Sequence, residues 1–528
     1  MKRMGLKIAG AVVGFGGVAI SLPAHAQTDD LDAKQACDSF QTAKTTTFVT
    51  SNIKTTFVEA SKEKPFTPPT THISISKPFC RVEGIAKSNP DSNIKFELWL
   101  PAKDHWNGRF VGTASGGSRG QINYKTLAEH YQLDYASIAH DNGHVSTGYD
   151  QRWSYDAATK SLKMDAILDW SYRAMHVVTA IGKELTADYY KVPITFSYYD
   201  GCSQSGHHGM MEAQRFPDDY DGIIAGAHTS DWTTNMVSQA WAAYPQFRNG
   251  GAGALTKEMW ALVHKAIVGQ CAGKIDGLVD DPRNCAFDPA SLLCKADATS
   301  GQFCLNPAQV ETLRAVYQGH RTPTGELVAF PYALGSEVGL HWPNSATSPT
   351  SAQGSWADYF RYPVFVNPDY DFNSFDFDRD PLIAREKLSE IYDAYSTDLS
   401  AFQKHGGKLL MYHGWADSLI SPFLSLTYYD ALRKTMGPTV DSFARQFFVP
   451  GMDHCMPGNG AGNFSMLDAL SNWVEKGVPP DATGVSDRIV GVSANGKFSR
   501  PLCPYPKIAR YSGAGDVNVA ASFICDAP

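Results

Sequence analysis

Three polar residues stand where they could carry out nucleophilic catalysis. Ser203 lies in the stretch DGCSQSG, where an apolar strand pattern runs into a turn and then into helix-forming residues 207–216. A strand–turn–helix connection lifts a serine hydroxyl above the edge of a sheet and points helix N–H groups at a developing oxyanion. Asp417 follows the apolar strand at Leu409, and His454 follows the next strand. This order predicts a nucleophile, an acid and a base.

The local pattern around the serine departs from the G-x-S-x-G form of a nucleophile elbow. Gly201 and Ser203 fit it, but Ser205 occupies the place of the last glycine and Gly206 follows one position later. An ordinary turn serine would fit the same residues. The conjunction with Asp417 and His454 is what favours catalysis, because a serine needs a base, and the base needs an acid that fixes its tautomer.

Two cysteines flank the predicted catalytic residues. Cys202 precedes Ser203, and Cys455 follows His454. A disulfide between them would hold the α-carbons of the two cysteines within about 4.4–6.8 Å and so place the nucleophile beside the base. Ordinary stabilisation is the alternative reading, since closing a loop of this length contributes about 4 kcal/mol or more in the chain-entropy model.

The elements that must position these residues alternate between strand and helix patterns. Helices are predicted over Lys163–Tyr190 and Ser465–Lys476. Continuous apolar runs followed by turns predict buried parallel strands at Arg109–Gly112, Tyr135–Ala139, Ile194–Tyr199, Gly222–Gly226, Lys408–Tyr412 and Gln446–Pro450. The alternation predicts an α/β fold with a mainly parallel sheet, and the order of the three polar residues makes it an α/β-hydrolase fold.

The regular alternation breaks between roughly residues 230 and 400. This stretch is rich in Trp, Pro, Gly, Asn and Ser and holds four cysteines, which is typical of an inserted functional segment and not of a flexible linker. We therefore predict a catalytic domain over residues 27–228 and 402–528 and a large inserted lid domain over residues 229–401.

Composition and targeting signals indicate an exported globular protein. The 528 residues carry a net charge of -8 without a long basic run, which argues against nucleic acid and anionic membrane surfaces as partners. Residues 1–26 have the basic start, apolar centre and small-residue end of a cleaved signal peptide. The ten cysteines form an even set without C-x-x-C spacing, which predicts disulfides and a periplasmic or secreted location.

Several motifs together resemble the tannase and feruloyl esterase family. They are G-C-S-x-x-G at Ser203, the GWAD run that contains Trp415, D-H-C at His454, and the tail from Arg500 to Tyr511. The resemblance implies Ser203, Asp417 and His454 as catalytic triad and an oxyanion hole formed by the backbone of Gln204 and a glycine of the Gly116-Gly117 turn. It also implies the disulfides 37–80, 202–455, 271–285, 294–304 and 503–525.

The resemblance further implies a calcium site and a substrate-binding arginine. In the family's calcium-binding run, one carboxylate is replaced here by Ala272, which leaves Asp276, Asp280 and Asp281 as candidate ligands. Calcium requires six to eight oxygen ligands, so the loss of one weakens this prediction. Arg361 in the lid and Trp415 are the candidate substrate-binding residues.

The sequence therefore predicts a secreted serine carboxylesterase that acts on esters of aromatic acids without an organic cofactor. Its predicted partner is a small aromatic ester, with neither nucleic acid nor membrane involved. Two alternatives stay open, namely an amidase or peptidase on the same fold and a binding protein with a degenerate triad. The sequence leaves the preferred acyl group and the oligomeric state undetermined.

Overall fold

The computed structural model describes most of the chain. Its described residues are 24–40, 44–146, 148, 150–273, 275–295, 300–301, 303–337, 339, 355–480 and 488–528. The predicted signal peptide lies outside them except for its last three residues, which begin helix α1 (Ala24–Ser39). None of the helices in this part of the chain has the length and apolar character needed to span a membrane.

A nine-stranded mixed sheet forms the centre of the molecule, in the order β1-β2-β3-β5-β4-β6-β7-β8-β9. The strands are β1 Val49–Val58, β2 Phe79–Lys87, β3 Ile94–Pro101, β4 Arg109–Thr113, β5 Ala136–His140, β6 Phe196–Cys202, β7 Gly222–Gly226, β8 Lys408–Gly414 and β9 Ala444–Val449. The pairs from β1 to β3, and β3 with β5, are antiparallel. All pairs from β5 to β9 are parallel, so the carboxyl ends of these strands meet at one edge.

Helices follow most of the parallel strands. The remaining helices are α2 Tyr124–Gln132, α3 Met164–Leu168, α4 Ala174–Tyr190, α5 Gln204–Arg215, α6 Trp232–Phe247, α7 Lys257–Cys271, α8 Pro307–Gln318, α9 Ser355–Tyr359, α10 Asp380–Tyr392, α11 Ser400–His405, α12 Pro422–Met436 and α13 Met466–Lys476. A π-helical turn, Asp169–Arg173, joins α3 to α4. The main core packs α4 and α5 against one face of the sheet, and α13 packs on the other.

The segment between β7 and β8 adds no strand to the central sheet in its described part. Its helices have two apolar cores of their own. One, rich in aromatic residues, joins α6, α9 and α10 to Trp170 from the π-helical turn. The other packs α7 against α8 beside the Cys271–Cys285 disulfide. This insertion holds most of the predicted residues 229–401, and its function as a lid stays a prediction.

Candidate active site

Ser203 occupies a strained turn between β6 and α5. Its backbone has φ 65° and ψ −128°, a conformation that non-glycine residues adopt at a cost and that is often found at catalytic positions. The turn is fixed on both sides, because Ser203 N donates to Gly226 O at 2.9 Å and His207 N donates to Ser203 O at 2.9 Å. A Cβ at position 206 would lie 2.3 Å from Gly226 O, so the glycine there lets α5 approach β7.

The structure brings the three residues of the predicted triad into contact. Ser203 Oγ lies 2.8 Å from His454 Nε2, and His454 Nδ1 lies 2.7 Å from Asp417 Oδ2. Asp417 follows β8 and His454 follows β9, and the parallel register places both turns at the edge where β6 ends. The arrangement allows the imidazole to take a proton from the serine while the carboxylate holds its other nitrogen.

The surroundings set the charge of the acid and the base. Burial acts to raise the pKa of Asp417, but His454 and His413 lower it more, so the pKa of this carboxyl lies well below its usual range. For His454, burial acts to lower the pKa, and the Asp417 carboxylate outweighs it and raises the pKa above its ordinary value. Asp417 is therefore ionised at neutral pH and stabilises the imidazolium form of His454.

His413, at the end of β8, is a contact of the acid that the sequence patterns did not single out. Its Nε2 lies 3.0 Å from Asp417 Oδ2 and 3.2 Å from Ile420 O. Since a carbonyl only accepts, Nε2 carries the proton, and Nδ1 accepts from Ser425 Oγ at 2.8 Å. Together with N–H bonds from Leu419 and Ile420 to Asp417 Oδ1, His413 fixes the carboxylate. A histidine four residues before the acid is the signal that would have found it.

The predicted oxyanion-hole residues lie on two elements that meet at Ser203. Gln204 begins α5, so its backbone N–H belongs to the helix N-terminus. A Cβ built on Gly116 would lie 3.8 Å from Ser203 Cβ and 4.0 Å from Ser203 Oγ, and Gly117 has φ 65°. Gly116 therefore lies close to Ser203, and the role of this turn in an oxyanion hole stays a prediction.

The turn that contains Asn142 and His144 makes hydrogen bonds to the segment after these glycines. His144 Nε2 donates to Ser118 O at 2.9 Å, and Asn142 Nδ2 donates to Arg119 O at 2.9 Å. Gln151 Nε2 lies 3.2 Å from Ser118 Oγ. His144 and Asn142 therefore hold the backbone of the segment that follows Gly117.

The five disulfides implied by the resemblance are confirmed. The bond between Cys202 and Cys455 joins residues 253 positions apart with their α-carbons 6.1 Å apart. It connects two strained turns, since Ser203 has φ 65° and Cys455 has φ 52°. The disulfide therefore joins the turn of Ser203 directly to the turn of His454.

We expect the double variant Cys202→Ser/Cys455→Ser to lose about 10²-fold in kcat/KM, because small displacements of reacting groups are costly. Rates on an aromatic ester and the melting temperature give the measurement. The matched control is Cys37→Ser/Cys80→Ser, which removes a disulfide on β2, four strands away from β6 in the sheet. The control should lose stability and keep its kcat. If Cys202→Ser/Cys455→Ser folded with full activity, the role of this disulfide would be limited to ordinary stabilisation.

The predicted calcium ligands are not brought together as a ligand set. Asp276 Oδ2 accepts from Arg500 Nε at 3.2 Å and Nη2 at 2.9 Å. Asp281 accepts from Arg283 Nε at 2.8 Å and Nη2 at 2.6 Å, and Asp280 lines a neighbouring cavity. Within the described ranges no three acidic, histidine or cysteine side chains are placed to hold a metal ion. The three carboxylates thus form no calcium-ligand set by themselves, Asp276 pairs with the Arg500 guanidinium, and calcium binding stays a prediction.

We expect a chelator to shift the melting temperature by less than about 1 °C. We expect Arg500→Ala to lower the melting temperature by about 5 °C, because Asp276 would keep an uncompensated, mostly buried charge. Both side chains are nearly buried, at 11% and 13% exposure. Arg500→Lys is the matched control and should fall between the two, since lysine keeps the charge without the planar fork. A large loss of stability with chelator alone would instead support a calcium site.

The two candidate substrate-binding residues lie in packed environments. The Arg361 guanidinium lies 5.0 Å from the centre of the Phe372 ring and 3.6 Å from the Asp358 carboxylate. Trp415 stacks on Phe448 at 4.3 Å and lines two cavities of about 330 and 490 Å³. The structure shows neither side chain in contact with Ser203, so their roles in substrate binding stay predictions.

Comparisons with known proteins agree with this fold. The sequence profile described as "Tannase and feruloyl esterase" matches residues 80–526. The mono(2-hydroxyethyl) terephthalate hydrolase of Piscinibacter sakaiensis is 33% identical, with 90% of this chain and 89% of that protein covered. A probable feruloyl esterase B-1 of Aspergillus oryzae is also 33% identical, with coverages of 85% and 84%. The crystal structure of feruloyl esterase B from Aspergillus oryzae superposes with a TM-score of 0.83 at 30% identity, covering 93% of this chain and 100% of that one.

The chain therefore belongs to the tannase and feruloyl esterase family. It has the α/β-hydrolase fold, and its relatives show it to be a carboxylic ester hydrolase.

Proposed function

We propose that this chain is a secreted serine esterase that hydrolyses esters of aromatic acids through an acyl-enzyme on Ser203. The observation that carries the proposal is the contact chain from Ser203 Oγ to His454 at 2.8 Å and from His454 to Asp417 at 2.7 Å. The five disulfides support export, because such bonds persist in oxidising compartments.

The first half of the reaction forms the acyl-enzyme. His454 Nε2 takes the proton of Ser203 as Oγ attacks the ester carbonyl carbon. The negative charge that develops on the carbonyl oxygen is stabilised by N–H groups of Gln204 and the Gly116-Gly117 turn. The C–O bond to the alcohol then breaks, and the alcohol leaves with the proton from His454.

The second half releases the acid. His454 removes a proton from a water molecule, which attacks the acyl carbon, and the second tetrahedral species collapses with return of a proton to Ser203 Oγ. Asp417 stays ionised throughout and orients the imidazole. Every step uses side chains and backbone groups of the chain, so the proposed mechanism needs no organic cofactor.

The aromatic acyl group is proposed from the relatives. The names of two of them specify feruloyl and terephthalate esters, both of which carry an aromatic acid. The described insertion between β7 and β8 follows the strand next to Ser203 and is rich in aromatic side chains, which suits a cover over a flat acyl ring.

A matched substrate panel tests the proposal. Initial rates are compared on methyl ferulate, methyl gallate, mono(2-hydroxyethyl) terephthalate and p-nitrophenyl butyrate, with the amide of the best acid as a further substrate. We expect one aromatic ester to exceed both the butyrate and the amide in kcat/KM by at least about 10²-fold, because a shaped pocket discriminates through the transition state. Equal, weak rates on all esters would contradict the aromatic preference, and faster amide cleavage would favour the peptidase alternative.

A further inference from the structure

Ser205, which takes the place of a glycine in the elbow pattern, makes contacts that a glycine cannot make. It is buried, with 3% of its surface exposed, and lies in the first turn of α5. Its Oγ accepts a hydrogen bond from Ala114 N at 3.1 Å and lies 2.7 Å from the hydroxyl oxygen of Tyr199. Its side chain therefore joins three elements around the nucleophile, namely β4, β6 and α5.

The hydrogen bonds of this group are mutually consistent. The Tyr199 hydroxyl donates to the Ser205 carbonyl oxygen at 2.8 Å. The Tyr199 hydroxyl has one proton, and this bond uses it. The Ser205 hydroxyl therefore donates to the Tyr199 hydroxyl oxygen, and Ser205 Oγ accepts from Ala114 N. A Cβ at position 201 would lie 2.4 Å from Ser205 Oγ, so Gly201 provides the space that the hydroxyl occupies.

The bond to Ala114 reaches the other half of the proposed oxyanion hole. Ala114 directly follows β4, and only Ser115 separates it from Gly116, which lies against Ser203. The Gln204 N–H belongs to α5 and the glycine N–H groups belong to the loop after β4, so their spacing depends on how the two elements are held. Oxyanion donors act only when they are positioned before the reaction, and small errors in placement reduce the rate steeply.

We propose that Ser205 is a positioning residue that fixes the Gly116-Gly117 turn against the N-terminus of α5 and so sets the geometry of the oxyanion hole. The proposal rests on the esterase mechanism proposed above. Under this proposal, loss of the Ser205 hydroxyl weakens binding of the tetrahedral transition state and leaves substrate binding unchanged. Loss of a merely structural serine would not separate these two effects.

The test compares Ser205→Ala with a matched control at another buried serine. We expect Ser205→Ala to lower kcat by about 10- to 100-fold with KM unchanged within about twofold. The inhibition constant of an aromatic boronic acid, which forms a tetrahedral adduct on a catalytic serine, should rise by the same factor as kcat falls. The control is Ser137→Ala on β5, which removes a buried bond from Oγ to Leu127 O and should keep both constants.

Two further variants complete the test. Ser205→Thr keeps an oxygen at Oγ and should retain kcat within about threefold, whereas Ser205→Gly should lose as much as alanine. A rise in KM equal to the loss in kcat, unchanged boronate inhibition, or full activity in Ser205→Gly would overturn the proposal. Failure of the esterase mechanism would look different, because Ser203→Ala would then stay active and the boronate would not bind to the wild type at all.

Discussion

We expect the variant Ser203→Ala to lose about five to six orders of magnitude in kcat on the best aromatic ester, because it removes the proposed nucleophile of the triad. No acyl-enzyme can form without Oγ, and His454 loses the hydroxyl that lies 2.8 Å from its Nε2. The substitution removes one oxygen atom and leaves the strained turn, the disulfide at Cys202 and the contact between His454 and Asp417 in place. We therefore expect KM and the melting temperature to stay close to those of the wild type.

Covalent trapping gives the second measurement of this prediction. A fluorophosphonate should add once to the wild-type protein, and peptide mass spectrometry should place the adduct on Ser203. The matched control is Ser137→Ala on β5, which should still be trapped, because its nucleophile and base are intact. Activity that survives in Ser203→Ala, or an adduct on another residue, would contradict the assigned nucleophile. A wild-type protein that is not trapped would support the alternative of a binding protein with a degenerate triad.

The sequence predicts the parallel half of the sheet and not the antiparallel half. Strands β4 to β9 are covered on both faces, so their apolar residues run continuously and can be read from the chain. β1 shows the opposite case, because only one of the ten residues of Val49–Val58 is buried and the strand contains Thr, Ser, Asn and Lys. Its strand conformation depends on pairing with β2, which is a tertiary contact without a local pattern.

The candidate active site shows the same distinction between residues that follow a local sequence pattern and contacts that depend on tertiary structure. Ser203, Asp417 and His454 can be found from sequence because each directly follows a recognisable strand, and strand ends in a parallel sheet converge. The contact between Arg500 and Asp276 spans 224 positions, and no local spacing indicates it. The bond from Ala114 to Ser205 spans 91 positions, and the sequence shows only that a glycine is missing from a familiar pattern.

The variant Asp417→Asn is expected to lower kcat by about 10⁴-fold, because the wrong imidazole tautomer becomes favoured. Asp417 Oδ2 faces two N–H groups, from His454 Nδ1 at 2.7 Å and His413 Nε2 at 3.0 Å. An amide NH₂ in the place of Oδ2 would point its own N–H groups at both donors and could not accept a hydrogen bond from either. His454 would then turn or carry its proton on Nε2, and neither form can accept the proton of Ser203.

The pH profile of Asp417→Asn separates loss of the acid from a general disturbance of the site. The Asp417 carboxylate raises the pKa of His454, and activity needs the neutral imidazole, so wild-type kcat/KM falls as the pH drops through that raised pKa. Without the carboxylate, the acidic limb of the residual activity should move to lower pH. The matched control is Asp453→Asn, since Asp453 Oδ1 accepts from the backbone N of His454 at 2.7 Å and its charge raises the pKa of His454 less than Asp417 does. Asp453→Asn should keep kcat within about tenfold. If Asp417→Asn also stayed within that range, with its acidic limb unmoved, Asp417 would not be the residue that orients the base.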